Sequence, residues 1–289
     1  MTAEEVVGQG KAGFDHVYNR ADPREYFKAI RPLGYEIPQN AHAVFDALLT
    51  ARGDTASTPR GTTSVLDVCC SYGVNAALLR CRLTLEDLFD RYGDSSLAGL
   101  TSEELVSADL PFYADHLRPD APRILGLDTA DRAIAYACRV GLLDAGWGED
   151  LEADEPSEAL AKEVGNVAMI TVTGGVGYIT ERTFERLLGT FPTDRKPWVA
   201  SFVLRMFPYD RIAETLAGHG LVTEQLAGTT FPQRRFESED EQRSALRGVR
   251  ARGIDTSGKE EDGWYHCDFY LSRPQAEVES LPLQDLLGS

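Results

Sequence analysis

Apolar positions along the chain gather into short continuous runs, set between longer stretches with helical spacing. Ser64-Val-Leu-Asp-Val68 is the first such run, and a turn and a helical stretch over Asn75 to Arg82 follow it. Strand, turn and helix in that order open a βαβ unit. Arg123-Ile-Leu-Gly-Leu-Asp128 predicts the next strand, and Thr129 to Leu143 a helix capped by Asp128 or Thr129, with Gly141 near its end. Val167 to Val172 and Trp198 to Leu204 are two further runs, each trailed by a helix. Unbroken runs of this kind suit parallel strands buried on both faces. Gly220-Leu-Val222, Thr229-Thr-Phe231 and Trp264 to Leu271 complete the set, the last alternating like an edge hairpin. The pattern predicts an α/β protein with a Rossmann-like, mostly parallel, seven-stranded sheet and helices on both faces.

Upstream, residues 14–49 read as aromatic-rich helices interrupted at Pro23, Pro32 and Pro38, with Ala41 to Leu49 as the last amphipathic piece. The polar run Arg52 to Thr63 reads as a loop. The expected organisation is a helical cap and linker over residues 1–63, a core domain over 64–273, and a loose tail over 274–289. The core is interrupted. A ribose-binding acid follows the turn of a dinucleotide unit by about 20 residues, yet Asp128 lies 61 positions beyond Asp67. Residues 83–122, with helical pieces Leu85 to Tyr92 and Ser102 to Ala108, are therefore an insertion. It joins a helix end to a strand start, on the side of the sheet away from a ligand crevice. That placement favours a structural role, or a homo-oligomer contact, over a lid.

Composition narrows the function. The chain has 289 residues, 43% of them apolar, enough for a sizeable core. Its 29 Lys and Arg against 46 Asp and Glu leave a formal charge of −17, a poor match to a nucleic-acid partner. Five cysteines without a CxxC pair argue against a disulfide framework. Met1-Thr-Ala-Glu-Glu5 opens without an apolar leader, and no run nears the length of a membrane span, so a cytoplasmic protein without a membrane partner is expected. No metal is expected, because adjacent Cys69-Cys70 lacks a second pair or a histidine at ligand spacing. Neither G-x-S-x-G nor H-E-x-x-H occurs, so nothing points to hydrolysis.

Three features stand at the carboxyl ends of predicted strands, where open α/β sheets bind ligands. Val65-Leu-Asp-Val-Cys-Cys-Ser-Tyr-Gly73 is a tight turn into a helix, whose first amides offer a hydrogen-bonding rim. Gly126-Leu-Asp128 ends in a carboxylate able to accept from two ribose hydroxyls, and Thr129 follows it. Gly148-Glu-Asp-Leu151 pairs an acceptor for an exocyclic adenine amine, Asp150, with apolar Leu151. Thr171-Val-Thr-Gly-Gly-Val-Gly177 closes the series, which describes a nucleoside site.

From roughly Phe14 to Tyr270 this order resembles the class I S-adenosylmethionine (SAM)-dependent methyltransferases. Asp67 and Gly73 match the ends of that family's D-x-G-x-G-x-G turn, Asp128 its ribose acid, Asp150-Leu151 its adenine clamp, and Thr173 to Tyr178 its segment after the fourth strand. The lead-in Tyr18 to Phe27 is similar to the substrate-side cap of small-molecule members. The resemblance implies SAM as cofactor, bound by Asp67, Cys69, Ser71, Gly73, Asp128, Thr129, Asp150, Leu151, Thr173 and Gly174. It departs from the family at Cys69 and Ser71, which replace glycines and crowd the methionine half of the cofactor. A NAD-type G-x-G-x-x-G fits less well, since Gly73 alone survives of it, and a Walker motif is absent.

A methyl sulfonium reacts by in-line displacement, so positioning and exclusion of water carry the rate and no triad is required. The cap aromatics Phe14, Tyr18, Tyr26, Phe27 and Tyr35 are candidates to meet substrate or the cationic sulfur. Tyr178, as a hydrogen-bonding group or weak base, and Arg205, as a carboxylate clamp at the end of the fifth strand, are the candidate catalytic residues. The expected function is methyl transfer to a small natural-product or amino-acid-like substrate. The altered turn keeps two alternatives open: aminocarboxypropyl transfer or cyclisation releasing methylthioadenosine, and a non-catalytic SAM-binding or scaffold protein.

Overall fold

The computed structural model describes residues 15–56, 63–193 and 195–288; Phe14 and half of the expected linker loop lie outside them, and residues 52–56 of that loop are instead helical. Five strands, β1 (Ser64–Val68), β2 (Arg123–Leu127), β3 (Ala145–Trp147), β4 (Met169–Thr173) and β5 (Trp198–Leu204), run parallel in the order β3-β2-β1-β4-β5. Their residues are almost wholly buried along β1, β2, β4 and β5, as unbroken apolar runs demand. The protein has the expected Rossmann-like α/β fold, with eight strands among the described residues rather than seven. β6 (Leu221–Gln225) and β7 (Phe231–Arg235) lie in tandem along the outer side of one long strand, β8 (Trp264–Pro274). β8 is not the expected edge hairpin: it sits inside the sheet, antiparallel to β5 on one side and to β6 and β7 on the other. Polar Asp268 within the alternating stretch is buried, as are Ser272 and Arg273 beyond it.

Helix boundaries shift for local reasons. The last cap helix spans Ile37–Ala56, because Pro38 stands in its first turn, where no intrahelical N–H is needed. The helix after β2 is Asp131–Arg139, and Asp128 serves it from outside by accepting from the Ala130 N–H at 2.9 Å. The tail is not loose. Helices Gln275–Ser280 and Leu283–Leu286 dock on the sheet, with Leu283 buried and Glu277 bonded to Arg52 and to the Trp198 indole.

The insertion folds back against the cap rather than standing apart. Its helices Leu85–Gly93 and Ser102–His116 start with capping boxes, Thr84 with Asp87 and Thr101 with Glu104. Tyr92 stacks on Phe27 at 4.6 Å, and Arg24 of the cap donates to the carbonyls of Leu97 and Leu100 at 2.8 and 2.9 Å. Underneath, the Tyr92 hydroxyl meets those of Tyr113 and Tyr136 at 2.7 and 2.8 Å, all around fully buried Asp109. The insertion thus buttresses the cap, whose inner face turns toward the carboxyl edge of the sheet.

Candidate functional site

Strand order reverses between β1 and β4, and such a switch point opens a crevice beyond the carboxyl edge. The parallel register pairs Val68 with Leu127 and with Val172, and Leu127 with Trp147. Cys69, Asp128, Gly148 and Thr173 are the next positions along these strands, so one tier of residues emerges at the crevice. A cleft of about 540 Å³ occupies it, within the size range of small-ligand sites. Cys69, Ser71, Asp128, Thr129, Asp150, Leu151, Thr173, Gly174 and Tyr178 all line it, together with Tyr18, Tyr26 and Tyr35 from the cap.

The turn after β1 keeps a glycine-like path without glycines. Cys69 and Ser71 have φ of 59° and 48°, the only positive values outside glycine among the described residues. Each holds a side chain in the left-handed region, at a cost of about 1–2 kcal/mol. Room is made by glycines opposite: a Cβ on Gly175 would lie 2.7 Å from the Cys69 sulfur, and one on Gly126 2.8 Å from that of Cys70. The amides of the turn itself are engaged within the protein. Cys69 N–H donates to the Leu127 carbonyl at 2.8 Å, Gly73 N–H to the Cys70 carbonyl at 2.9 Å, and Ser71 N–H to Asp128 Oδ2 at 2.8 Å.

Asp128 therefore clamps the turn while facing the cleft. Its oxygens accept from Ser71 and Ala130, one each, and each retains a lone pair for a ligand hydroxyl. Asp150 is exposed, with Oδ1 accepting from the Glu152 N–H, while Leu151 is buried behind it. Asp67 and Gly73 do not reach the cleft surface: Gly73, with φ of 75°, shapes the turn, and Asp67 is 1% exposed beneath it. Thr171 Oγ1 donates to Asp67 at 2.8 Å, and the Asn75 amide lies 3.3 Å from both its oxygens. Burial pushes the Asp67 carboxyl up to about 7 against those hydrogen bonds.

The cap wall is tied to this turn by Tyr72. Its hydroxyl accepts from the Arg20 N–H at 2.8 Å and lies 3.1 Å from the Val17 carbonyl, and its ring packs 5.5 Å from that of Tyr26. Asn19 adds a second tie, accepting from the Arg132 N–H at 2.9 Å. Burial holds the Tyr26 and Tyr35 hydroxyls far above their usual pKa, so they act as neutral hydrogen-bonding groups rather than as bases.

Two candidates fall elsewhere. Arg205 is 4% exposed and faces away from the cleft, pairing with Glu260 at 2.9 Å and donating to the Asp255 carbonyl at 2.5 Å. Strand alternation explains the error: Leu204 lines the cleft, so its neighbour points to the other face. Phe27 is buried among Tyr26, Phe89 and Tyr92, inside the cap-insertion joint. Conversely, Asn75, Gln233 and Arg234 line the cleft although the sequence reading passed over them. Asn75 stands one helical turn beyond Ser71, a spacing that could have flagged it; Gln233 and Arg234 arrive from β7, which no local pattern ties to the cleft. The Arg234 guanidinium forks onto Glu241 at 2.9 and 2.6 Å and is no open anion site. Among the described residues no disulfide joins the five cysteines, no group of acidic, His or Cys side chains could hold a metal, and no helix is long and apolar enough to cross a membrane.

No protein-family model matches the chain, and no curated protein matches it. Solved structures that resemble it include methyltransferases. Magnesium protoporphyrin IX methyltransferase from Synechocystis PCC 6803, with bound SAM, is 11% identical, with 93% of this chain and 88% of that one covered at a TM-score of 0.40. The YcgJ protein from Bacillus subtilis is 8% identical over 78% of this chain and 98% of its own, at a TM-score of 0.42. The plantazolicin methyltransferase BpumL, in complex with a triazolic desmethylPZN analog and SAH, is 11% identical over 95% and 100%, at a TM-score of 0.38. The fold assignment rests on the strand order and register above.

Proposed function

We propose that this chain is a SAM-dependent methyltransferase acting on a small natural-product or amino-acid-like molecule. The observation that supports it most is the convergence on one cleft of Asp128, with acceptor capacity left on both oxygens, and Asp150-Leu151, an exposed acceptor beside a buried apolar side chain. That pairing suits a ribose and an adenine, and the cleft volume suits a ligand of nucleoside size with a second small molecule beside it. When bound, SAM supplies an electrophilic methyl group. The chain's own part is positioning: Asp128 orients the ribose, the Thr173-Gly174 segment forms the far wall, and the cap tyrosines exclude water and present hydroxyls to the acceptor molecule. Tyr178, 52% exposed and part of the cleft lining, would bond the acceptor.

Calorimetry with SAM tests the binding, and Asp128→Ala should weaken it roughly thirtyfold or more through two lost charge-assisted hydrogen bonds. Unchanged affinity would remove the ribose assignment. Product analysis tests the chemistry: S-adenosylhomocysteine (SAH) is expected, and methylthioadenosine would instead mean that the aminocarboxypropyl arm is what moves.

A further inference from the structure

The polar atoms Ser71 Oγ and Asn75 Oδ1 are buried without a partner beside the turn, and another part of the cleft holds a further polar group of that kind. Gln233 is 8% exposed and lines the cleft, and its side-chain amide has no hydrogen-bond partner among the described residues. An amide in that state carries a desolvation cost that native proteins seldom keep, and a ligand that bonds it removes the cost.

The position of this amide is built by three elements. Pro232 pairs with His266 and Arg234 with Tyr265, and these partners are adjacent on β8, so Gln233 is the extra residue of a β-bulge. Neighbours in a regular strand face opposite ways, yet Gln233 and Arg234 both line the cleft. The cap fixes the bulge: Asn40 Nδ2 donates to the Pro232 carbonyl at 3.0 Å, and the Glu36 N–H to the Gln233 carbonyl at 2.8 Å. The segment after β4 makes room for the amide, because Gly174 has a φ of 70° and a Cβ there would lie 2.6 Å from Gln233 Nε2.

In the sheet, β7 lies beyond β5 and β8, whereas Asp128 and Asp150 follow β2 and β3. A cofactor whose adenosine lies against those two acids leaves the Gln233 end of the cleft to the acceptor molecule. Groups nearby offer hydrogen bonds without net charge: Arg234 is forked onto Glu241, and burial keeps the Tyr26 and Tyr35 hydroxyls protonated.

We propose that Gln233 selects the acceptor, and that the acceptor is an uncharged molecule bearing an amide or lactam group, which donates one hydrogen bond to the Gln233 amide and accepts one from it. The proposal rests on the methyltransferase reading and names its substrate class. A carboxylate would find Arg234 already paired, and an ammonium would satisfy only the carbonyl half of the Gln233 amide; each would leave water without an opposite charge to receive it there.

The test is NMR titration of the intact, SAH-saturated chain with three flat probes of similar size: benzamide, benzoate and benzylammonium. Calorimetry establishes SAH binding beforehand, and thermal unfolding shows that each variant is folded at the temperature used. Wild type should bind benzamide roughly tenfold tighter than either ion. Gln233→Leu should weaken benzamide roughly tenfold, the scale of two lost neutral hydrogen bonds, and leave SAH within about twofold. Gln233→Glu keeps the shape without the amide donor and should lose benzamide as well, so it carries the test even if Gln233→Leu fails to fold. Benzamide held equally by wild type and variant, an ion bound as tightly as benzamide, or no probe bound by wild type overturns the proposal while the cofactor reading stands. A wild type that does not bind SAH overturns the cofactor reading, and the benzamide comparison on the ligand-free chain then decides the amide site by itself.

Discussion

Ser71 gives the sharpest quantitative test of how this turn stores free energy. Replacing it by glycine releases about 1–2 kcal/mol of left-handed backbone strain and removes a buried hydroxyl whose missing partner costs about 1–3 kcal/mol. Glycine's extra freedom in the unfolded chain offsets about 0.5–1 kcal/mol of that. Ser71→Gly should therefore stabilise the ligand-free protein by about 2 kcal/mol, and Ser71→Ala, which keeps the strain, by about 1 kcal/mol. At about 2–4 °C per kcal/mol for a large domain, thermal unfolding should rise by roughly 4–8 °C for Gly and roughly 2–4 °C for Ala. A wild type more stable than both variants would refute the reasoning. A gain with Ala that Gly does not exceed would refute the strain and leave the orphaned hydroxyl standing.

Arg205→Gln should destabilise the fold by about 3–5 kcal/mol in denaturant unfolding, because it strands Glu260 beside Asp268 in a buried site, yet leave SAH affinity unchanged; a binding defect in folded protein would return Arg205 to the cleft. Tyr72→Phe should cost about 1 kcal/mol and raise the rate of proteolysis within the cap, because the Arg20 N–H loses its acceptor; equal protection in both proteins would deny that the turn holds the cap. The Asp67 carboxyl holds its proton to about pH 7 when folded but ionises near 4 when unfolded, so the folded state binds the extra proton between those values and stability falls as pH rises through that window. Asp67→Asn should remove that slope from pH-dependent unfolding, and an identical slope in the variant would show that Asp67 does not cause it.

The parallel half of the sheet was legible because strands buried on both faces carry a signal in their own residues: Trp198 to Leu204 is one apolar run and one strand. The antiparallel half was not. Asp268, Ser272 and Arg273 of β8 are polar yet buried, and their partners come from distant segments: Arg205 faces Asp268, Thr223 Oγ1 meets Ser272 at 2.8 Å, and Glu224 pairs with Arg273. Over Trp264 to Leu271 the alternation suggested an edge hairpin, whereas the strand is flanked on both sides. The site divides in the same way. Asp128, Asp150 and Thr173 follow strand ends directly, so position along the chain fixes position in space. Arg205 failed by a single residue, which in a strand is the difference between facing a cleft and facing away from it. Where the insertion packs was not legible in the same way, because its return over the cap depends on contacts such as Tyr92 on Phe27, between residues far apart in the chain.

What the structure adds to the sequence is the reason an atypical turn can keep its shape. Cys69 and Cys70 place two sulfur atoms in the turn, and each sulfur meets a glycine, Gly175 after β4 and Gly126 within β2. Tyr72 then anchors the turn from above through the Arg20 N–H and the Val17 carbonyl, and Asp128 anchors it from the side through the Ser71 N–H. A turn held at several points can retain two residues in a left-handed conformation that neither would adopt alone. Of its substituents, the two cysteine sulfurs are accommodated by packing and the tyrosine hydroxyl by hydrogen bonds, which leaves Ser71 Oγ as the one polar addition that the fold itself does not satisfy. A requirement unmet by the protein, at the wall of a cleft, is what a ligand is placed to meet.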